Sequence, residues 1–242
     1  MDIRKYISSV RADSLLLSVS GLLLGSMMAA ADYHINWWVV VLMALSVTAL
    51  QVCTVMLPGI LLAIGAVWLT YGTVFKMEAL LTLLMAYFVY KLVYNHSPEK
   101  GLFRNGIVVT LSSLLIYGLI PVYGAYFVCT HSFARSILLL PSLSVGALCL
   151  AAVNSDYLED GRTRFFHILW IMVGFASMTV YACMRIFDIW HFLFLLMLPV
   201  FAYRIISLSK RKETAGSDKL RLAVSIVLFA LMSGAGFLVY LF

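Results

Sequence analysis

The chain has 242 residues, of which 63% are hydrophobic and only 12% charged, with a mean hydropathy of +1.01 and a formal net charge of +6. Soluble domains are about a quarter charged, so a chain of this composition has too much apolar surface to hide from water, and lipid is the solvent it fits. Backbone polar groups in lipid must pair internally, and runs such as Trp37 to Val52 and Leu220 to Phe242 lack the alternation of a barrel, which leaves helices.

The first apolar segment runs from Ser14 to Ala31. Arg4, Lys5 and Arg11 precede it and Ala29-Ala30-Ala31 end it, which is also the outline of a secretory signal. Its length and the many segments that follow favour a first transmembrane helix. Ser14, Ser18, Gly21 and Gly25 share one face of it, a pattern that lets a neighbouring helix approach closely. The second segment, Trp37 to Leu57, and the third, Gly59 to Phe75, meet at Pro58-Gly59 and predict a tight helical hairpin. Then come Ala79 to Val93, the polar loop Tyr94 to Gly106, Ile107 to Cys129, and Ile137 to Val153. The loop Asn154 to Arg164 leads into Phe165 to Ile186 and Trp190 to Leu208; the loop Ser209 to Lys219 leads into Leu220 to Phe242. Pro121, Pro141 and Pro199 fall inside segments and predict kinks. No internal repeat, low-complexity tract or second domain interrupts residues 1–242, so the expected fold class is all-α: one polytopic domain of nine transmembrane helices.

Charge predicts the orientation. With a cytoplasmic N-terminus, the cytoplasmic side carries Arg4, Lys5, Arg11, Lys91, Lys100, Arg104, Arg162, Arg164, Arg204, Lys210, Arg211, Lys212, Lys219 and Arg221. The other side carries only Lys76, Arg135 and Arg185, an asymmetry of 14 to 3 that places the C-terminus outside. The positive net charge is therefore a topological signal suited to anionic headgroups and calls for no nucleic-acid partner. Cys53, Cys129, Cys149 and Cys183 lie in apolar segments without C-x-x-C spacing and read as buried thiols. His34, His96, His131, His167 and His191 show no ligand spacing.

One polar cluster stands out, Asn154-Ser155-Asp156-Tyr157-Leu158-Glu159-Asp160-Gly161-Arg162-Thr163-Arg164. If the preceding helix continues, Asp156 and Asp160 share a face one turn apart. Such a pair can hold a Mg²⁺ ion that also takes phosphate oxygens, and Arg162 and Arg164 could clamp a diphosphate. A solvated loop that merely ends a helix is the other reading of the same residues.

The order of several stretches resembles the UbiA-type intramembrane prenyltransferases, in particular the branch that prenylates 1,4-dihydroxy-2-naphthoate in menaquinone synthesis. The likeness rests on Gly124 to Thr130, on Leu139-Leu140-Pro141-Ser142-Leu143-Ser144-Val145-Gly146, and on Asn154 with Asp156-x-x-x-Asp160. It extends to the first segment from Leu15 to Ser26, to Leu50-Gln51, and to the last segment from Leu220 through Gly236. The resemblance implies a nine-helix bundle in a bacterial cytoplasmic membrane. It implies transfer of a polyprenyl group from a polyprenyl diphosphate to an aromatic acceptor. Asp156 and Asp160 would be magnesium ligands, and Asn154, Arg162, Arg164, Lys100 and Arg104 would contact diphosphate. Tyr87, Tyr90, Tyr94, Tyr117, Tyr123 and Tyr126 could face the allylic cation, although aromatics on membrane helices are more often packing or interfacial anchors.

The chain departs from that pattern. The family's first Asp-rich motif follows the Leu-Gln pair, whereas here Gln51 is followed by Val-Cys-Thr-Val-Met-Leu-Pro-Gly, and no carboxylate occurs between Asp32 and Glu78. The Arg-Pro-Lys sequence before the first helix reads Arg11-Ala12-Asp13, and a Gly-acid pair near the fifth reads Val109-Thr110. Asn154 stands two residues before Asp156, one fewer than the pattern. The expectation is a divergent prenyltransferase of impaired activity. The alternative is a non-catalytic descendant, a pseudoenzyme that binds an isoprenoid lipid or a protein partner. A secondary transporter fits least, because the charges lie at segment ends and no repeat is visible.

Overall fold

A computed structural model of the chain describes residues 12–52, 110–111, 113–130, 132, 138–153, 161–185, 189–210 and 215–238. Among the described residues the secondary structure is helical, with no strand. The helices are α1 (Ala12–Asp32), α2 (Trp37–Val52), α3 (Ile120–Thr130), α4 (Leu139–Val153), α5 (Gly161–Arg185), α6 (Leu198–Lys210) and α7 (Ala215–Leu238). A π-helical turn, Leu115–Leu119, leads into α3, and a 3-10 segment, Ile189–Met197, leads into α6. Seven of the nine predicted segments thus coincide with helix; 59–75 and 79–93 lie outside the described residues. Two stretches, Phe165–Arg185 and Leu220–Leu238, are long and apolar enough to cross a membrane.

Local chemistry explains several boundaries. The chain turns between α1 and α2 in four residues, and Asn36 caps α2 by accepting the Trp38 N–H at 3.0 Å. Pro121 stands two residues past the π-helical turn. Proline has no N–H to give and its ring crowds the carbonyl four residues back, so the helix widens just before it. Pro141 behaves differently from the expected kink: it stands in the first turn of α4, where a missing N–H leaves no helical hydrogen bond unmade. Pro199 stands where the 3-10 segment gives way to α6, so the helix changes geometry at the place where a kink is expected.

The contacts fix the directions of the helices. Gly21 and Gly25 of α1 lie against Pro121 and Val122 of α3, and Met27 of α1 lies against Gly234 of α7, so α1, α3 and α7 run together. A Cβ on Gly21 would come within 2.8 Å of the Tyr117 carbonyl oxygen, and one on Gly25 would collide with the Val122 backbone. The small-residue face read in the first segment is therefore a helix–helix contact at these two positions. Helix α4 runs the opposite way, with Gly118 against Gly146 and Ser142, and returns antiparallel to α5. That pair is pinned by the Ser144 hydroxyl donating to the Gly174 carbonyl at 2.7 Å and by His167 Nδ1 donating to the Ala151 carbonyl at 2.8 Å.

Phe175, Phe194, Phe201 and Phe229, contributed by α5, the 3-10 segment, α6 and α7, form the aromatic centre of the core, with ring centroids 5.0–6.5 Å apart. Four other buried hydroxyls are satisfied inside their own helices. Ser26, Ser142, Ser225 and Ser233 each donate to the carbonyl four residues back, at 2.7–2.9 Å.

Helix α5 is apolar on both faces. Ile171, Phe175, Met178 and Tyr181 point inward, while Phe165, Leu169, Met172, Val180 and Met184 are exposed, Met172 to 65%. Cys183 lies on that outer face and is exposed, which corrects its reading as a buried thiol; an apolar segment does not by itself say which side faces in.

Candidate functional site

The residues expected to bind diphosphate and metal fall mostly outside what the structure describes. Asn154, Asp156, Asp160, Lys100 and Arg104 are outside the described residues. Arg162 and Arg164 have their backbone in the first turn of α5, and their side chains are not among those described. The antiparallel packing of α4 and α5 brings Val153 and Gly161, the residues flanking 154–160, to one end of the bundle. Asp13 belongs to the first turn of α1, one turn before Leu17. Cys149 Sγ reaches the Leu17 carbonyl at 3.8 Å, so the start of α1 lies at that same end. Among the described residues no three His, Cys, Asp or Glu side chains come together as a metal site.

The polar constellation among the described side chains is at the opposite end. Asp32 closes α1, Tyr126 stands one turn before the end of α3, and Arg185 closes α5. The Arg185 guanidinium donates to both carboxylate oxygens of Asp32, each at 2.7 Å, in the two-pronged geometry that matches a planar fork to a carboxylate. The Tyr126 hydroxyl donates to one of the same oxygens at 2.9 Å. The Tyr181 ring lies beneath the guanidinium, 6.0 Å from centroid to carbon, and its hydroxyl donates to Met28 Sδ at 3.4 Å. The ion-paired side chains are only 24% (Arg185) and 19% (Asp32) exposed. Arg185 also sits in the last turn of its helix, where the backbone dipole favours a cation.

Three helices far apart in sequence are thereby joined through one carboxylate. The arrangement holds its charges in a closed, mutually neutral set and offers no unengaged nucleophile or base, so what it can do chemically is hold helices in place. Tyr117 and Tyr126, two of the tyrosines that could have faced a cation, are buried packing groups here, and Tyr123 is partly buried against the core. The Asp32–Arg185 pair was missed in the sequence, although a signal existed. Each is a charge at the end of an apolar segment, of opposite sign, and the charge asymmetry puts both on the same side.

No protein-family model, curated protein or solved structure matches the chain.

Proposed function

We propose that the chain is an integral membrane protein of nine spans with UbiA-type prenyltransferase architecture. In this reading the end where α4 turns toward α5 binds a polyprenyl diphosphate with little remaining catalytic power. The observation that carries the proposal is the antiparallel α4–α5 pair. It brings both flanks of the Asp156-x-x-x-Asp160 sequence to the end of the bundle where α1 begins and where, by charge, the cytoplasm lies. Arg162 and Arg164 follow within the first turn of α5, where cationic side chains and unpaired backbone N–H groups together suit a phosphate. The apolar outer face of α5 supports a lipid surrounding, since a helix hydrophobic all round belongs inside a core or a membrane.

The scarcity of carboxylates in the sequence weakens any metal-assisted step. A diphosphate leaves readily only when fixed charge neutralises it as the bond breaks. Magnesium, as a Lewis acid, would supply that charge. Holding it takes carboxylates beyond the Asp156–Asp160 pair. Asp32, the last carboxylate before Glu78, is held by Arg185 at the far end of α1 and does not fill the gap. Apart from Asp13, whose helical turn lies at the same end, what remains to the chain is binding and partial neutralisation by Arg162, Arg164, Lys100 and Arg104. This shortage favours the second reading, a non-catalytic bundle that binds an isoprenoid lipid or a protein partner.

The test is prenyl transfer from a labelled polyprenyl diphosphate to 1,4-dihydroxy-2-naphthoate in reconstituted vesicles, beside magnesium-dependent diphosphate binding, for the natural chain and Asp156→Ala. Weak turnover with measurable binding that Asp156→Ala abolishes is expected. Robust turnover lost in the variant would overturn the impairment. Absence of both turnover and binding would overturn the diphosphate site.

A further inference from the structure

At the Asp32–Arg185 end, large aromatic side chains stand out from the bundle. Tyr33, Trp37, Trp38 and Trp190 are 48%, 49%, 73% and 48% exposed. They come from two places in the chain, the α1–α2 turn with the first turn of α2, and the start of the 3-10 segment. Both places abut the ion pair in sequence: Tyr33 follows Asp32 directly, and Trp190 lies five residues past Arg185. Trp190 is tied to the bundle at that level, because its carbonyl oxygen packs on Gly236 of α7. On α5 the exposed apolar stripe runs through Val180, Cys183 and Met184 and stops at Arg185. An aromatic collar, the last apolar turn and the first charges thus coincide at one level.

We propose that this level is the boundary between hydrocarbon and headgroups on the non-cytoplasmic side, and that Tyr33, Trp37, Trp38 and Trp190 anchor the bundle among the lipid glycerol and phosphate groups. The inference rests on the membrane reading above and adds where the bilayer ends. An indole has a flat apolar body and one N–H donor. It gains most where chain carbons and lipid carbonyls meet, rather than in water or in mid-bilayer. The occupant is lipid rather than a protein partner because the surface below this level is apolar on both helices: α2 exposes Val41 and Leu45 beneath its tryptophans, and the exposed stripe of α5 carries no charge between Phe165 and Met184. The neutral Asp32–Arg185 pair then lies just inside the collar. There its mutual bonding spares each charge the cost of facing hydrocarbon alone.

Depth-dependent fluorescence quenching tests this in nanodiscs. The chain has five tryptophans. Variants would each retain one of Trp37, Trp38 and Trp190, the other tryptophans becoming Phe. Lipids would carry a nitroxide either near the headgroup or near the chain terminus. An Ala176→Trp variant in the tryptophan-free background marks the interior. Ala176 lies on the exposed face of α5, nine residues before Arg185 and so about 14 Å deeper at 1.5 Å per residue. The collar tryptophans should be quenched at least about twofold more by the shallow label than by the deep one, and Ala176→Trp the reverse. Should a single-tryptophan variant not fold, subtracting the Trp37→Phe/Trp38→Phe signal from that of the natural chain gives the same comparison. Deep quenching at Ala176→Trp with the collar accessible only to aqueous iodide would overturn the anchor and leave the membrane reading standing. So would a collar shielded from lipid and iodide alike, which would mean a protein occupant. No lipid quenching at any position would overturn both.

Discussion

Breaking the Asp32–Arg185 pair has a calculable consequence. Two unit charges about 4 Å apart attract by about 1 kcal/mol in water and about 4 kcal/mol at an effective dielectric of 20. With side chains 19% and 24% exposed the pair lies between these limits, and desolvation cancels part of the gain. Arg185→Gln leaves a half-buried carboxylate with the Tyr126 hydroxyl at 2.9 Å and should cost roughly 2–4 kcal/mol. Asp32→Asn leaves a guanidinium near the end of a helix, where the dipole and the Tyr181 ring still favour it, and should cost less, roughly 1–3 kcal/mol. The double variant leaves no charge stranded, so its loss should be smaller than the sum by about 1–3 kcal/mol. Reversible denaturation in mixed micelles, followed by circular dichroism, measures all four corners of this cycle. Losses that add to within about 0.5 kcal/mol would refute the pair as an energetic link between α1 and α5.

Other consequences can be checked in the same preparation. Gly25→Val puts side-chain atoms where the Val122 backbone runs; α1 and α3 must separate, and a loss of about 1–3 kcal/mol or failure to assemble is expected, whereas unchanged unfolding would argue against the contact. Phe229→Ala opens a void among Phe175, Phe194 and Phe201 and should cost roughly 3–5 kcal/mol, with Phe229→Leu costing much less. Ser144→Ala deletes the hydroxyl bond to the Gly174 carbonyl and should cost only about 0.6 kcal/mol, typical of interhelical bonds in lipid; a loss several times larger would mean that α4 and α5 depend on it. Reporter fusions after Asp218 and at the C-terminus should report opposite sides of the membrane, and finding both in the cytoplasm would refute the orientation drawn from charge.

Helical character and the places where helices begin and end are local properties, and this sequence carries them plainly. Runs of apolar residues locate seven of the expected segments in helices, although α5 begins at Gly161, inside the stretch Asn154 to Arg164 read as a loop. The sideways approach of α1 was also visible, because Gly21 and Gly25 are the residues that permit it. Which face of the other helices turns inward was not legible. In α5 the inward Phe175 and Met178 and the outward Leu169 and Met172 are equally apolar, so no polar stripe marks the outside. Facing is then decided by close packing, which depends on every neighbour at once. Cys183 was misplaced for that reason. The diphosphate-site residues Asn154, Asp156 and Asp160 remain a reading of sequence pattern, while the constellation of Asp32, Tyr126 and Arg185 emerged only from the fold. Asp32 and Arg185 are 153 residues apart, and a bond between them exists only once α1, α3 and α5 have chosen their rotations and come side by side. Hydropathy belongs to single residues and is written along the chain; the meeting of two charges belongs to a geometry that the chain acquires only when its helices pack.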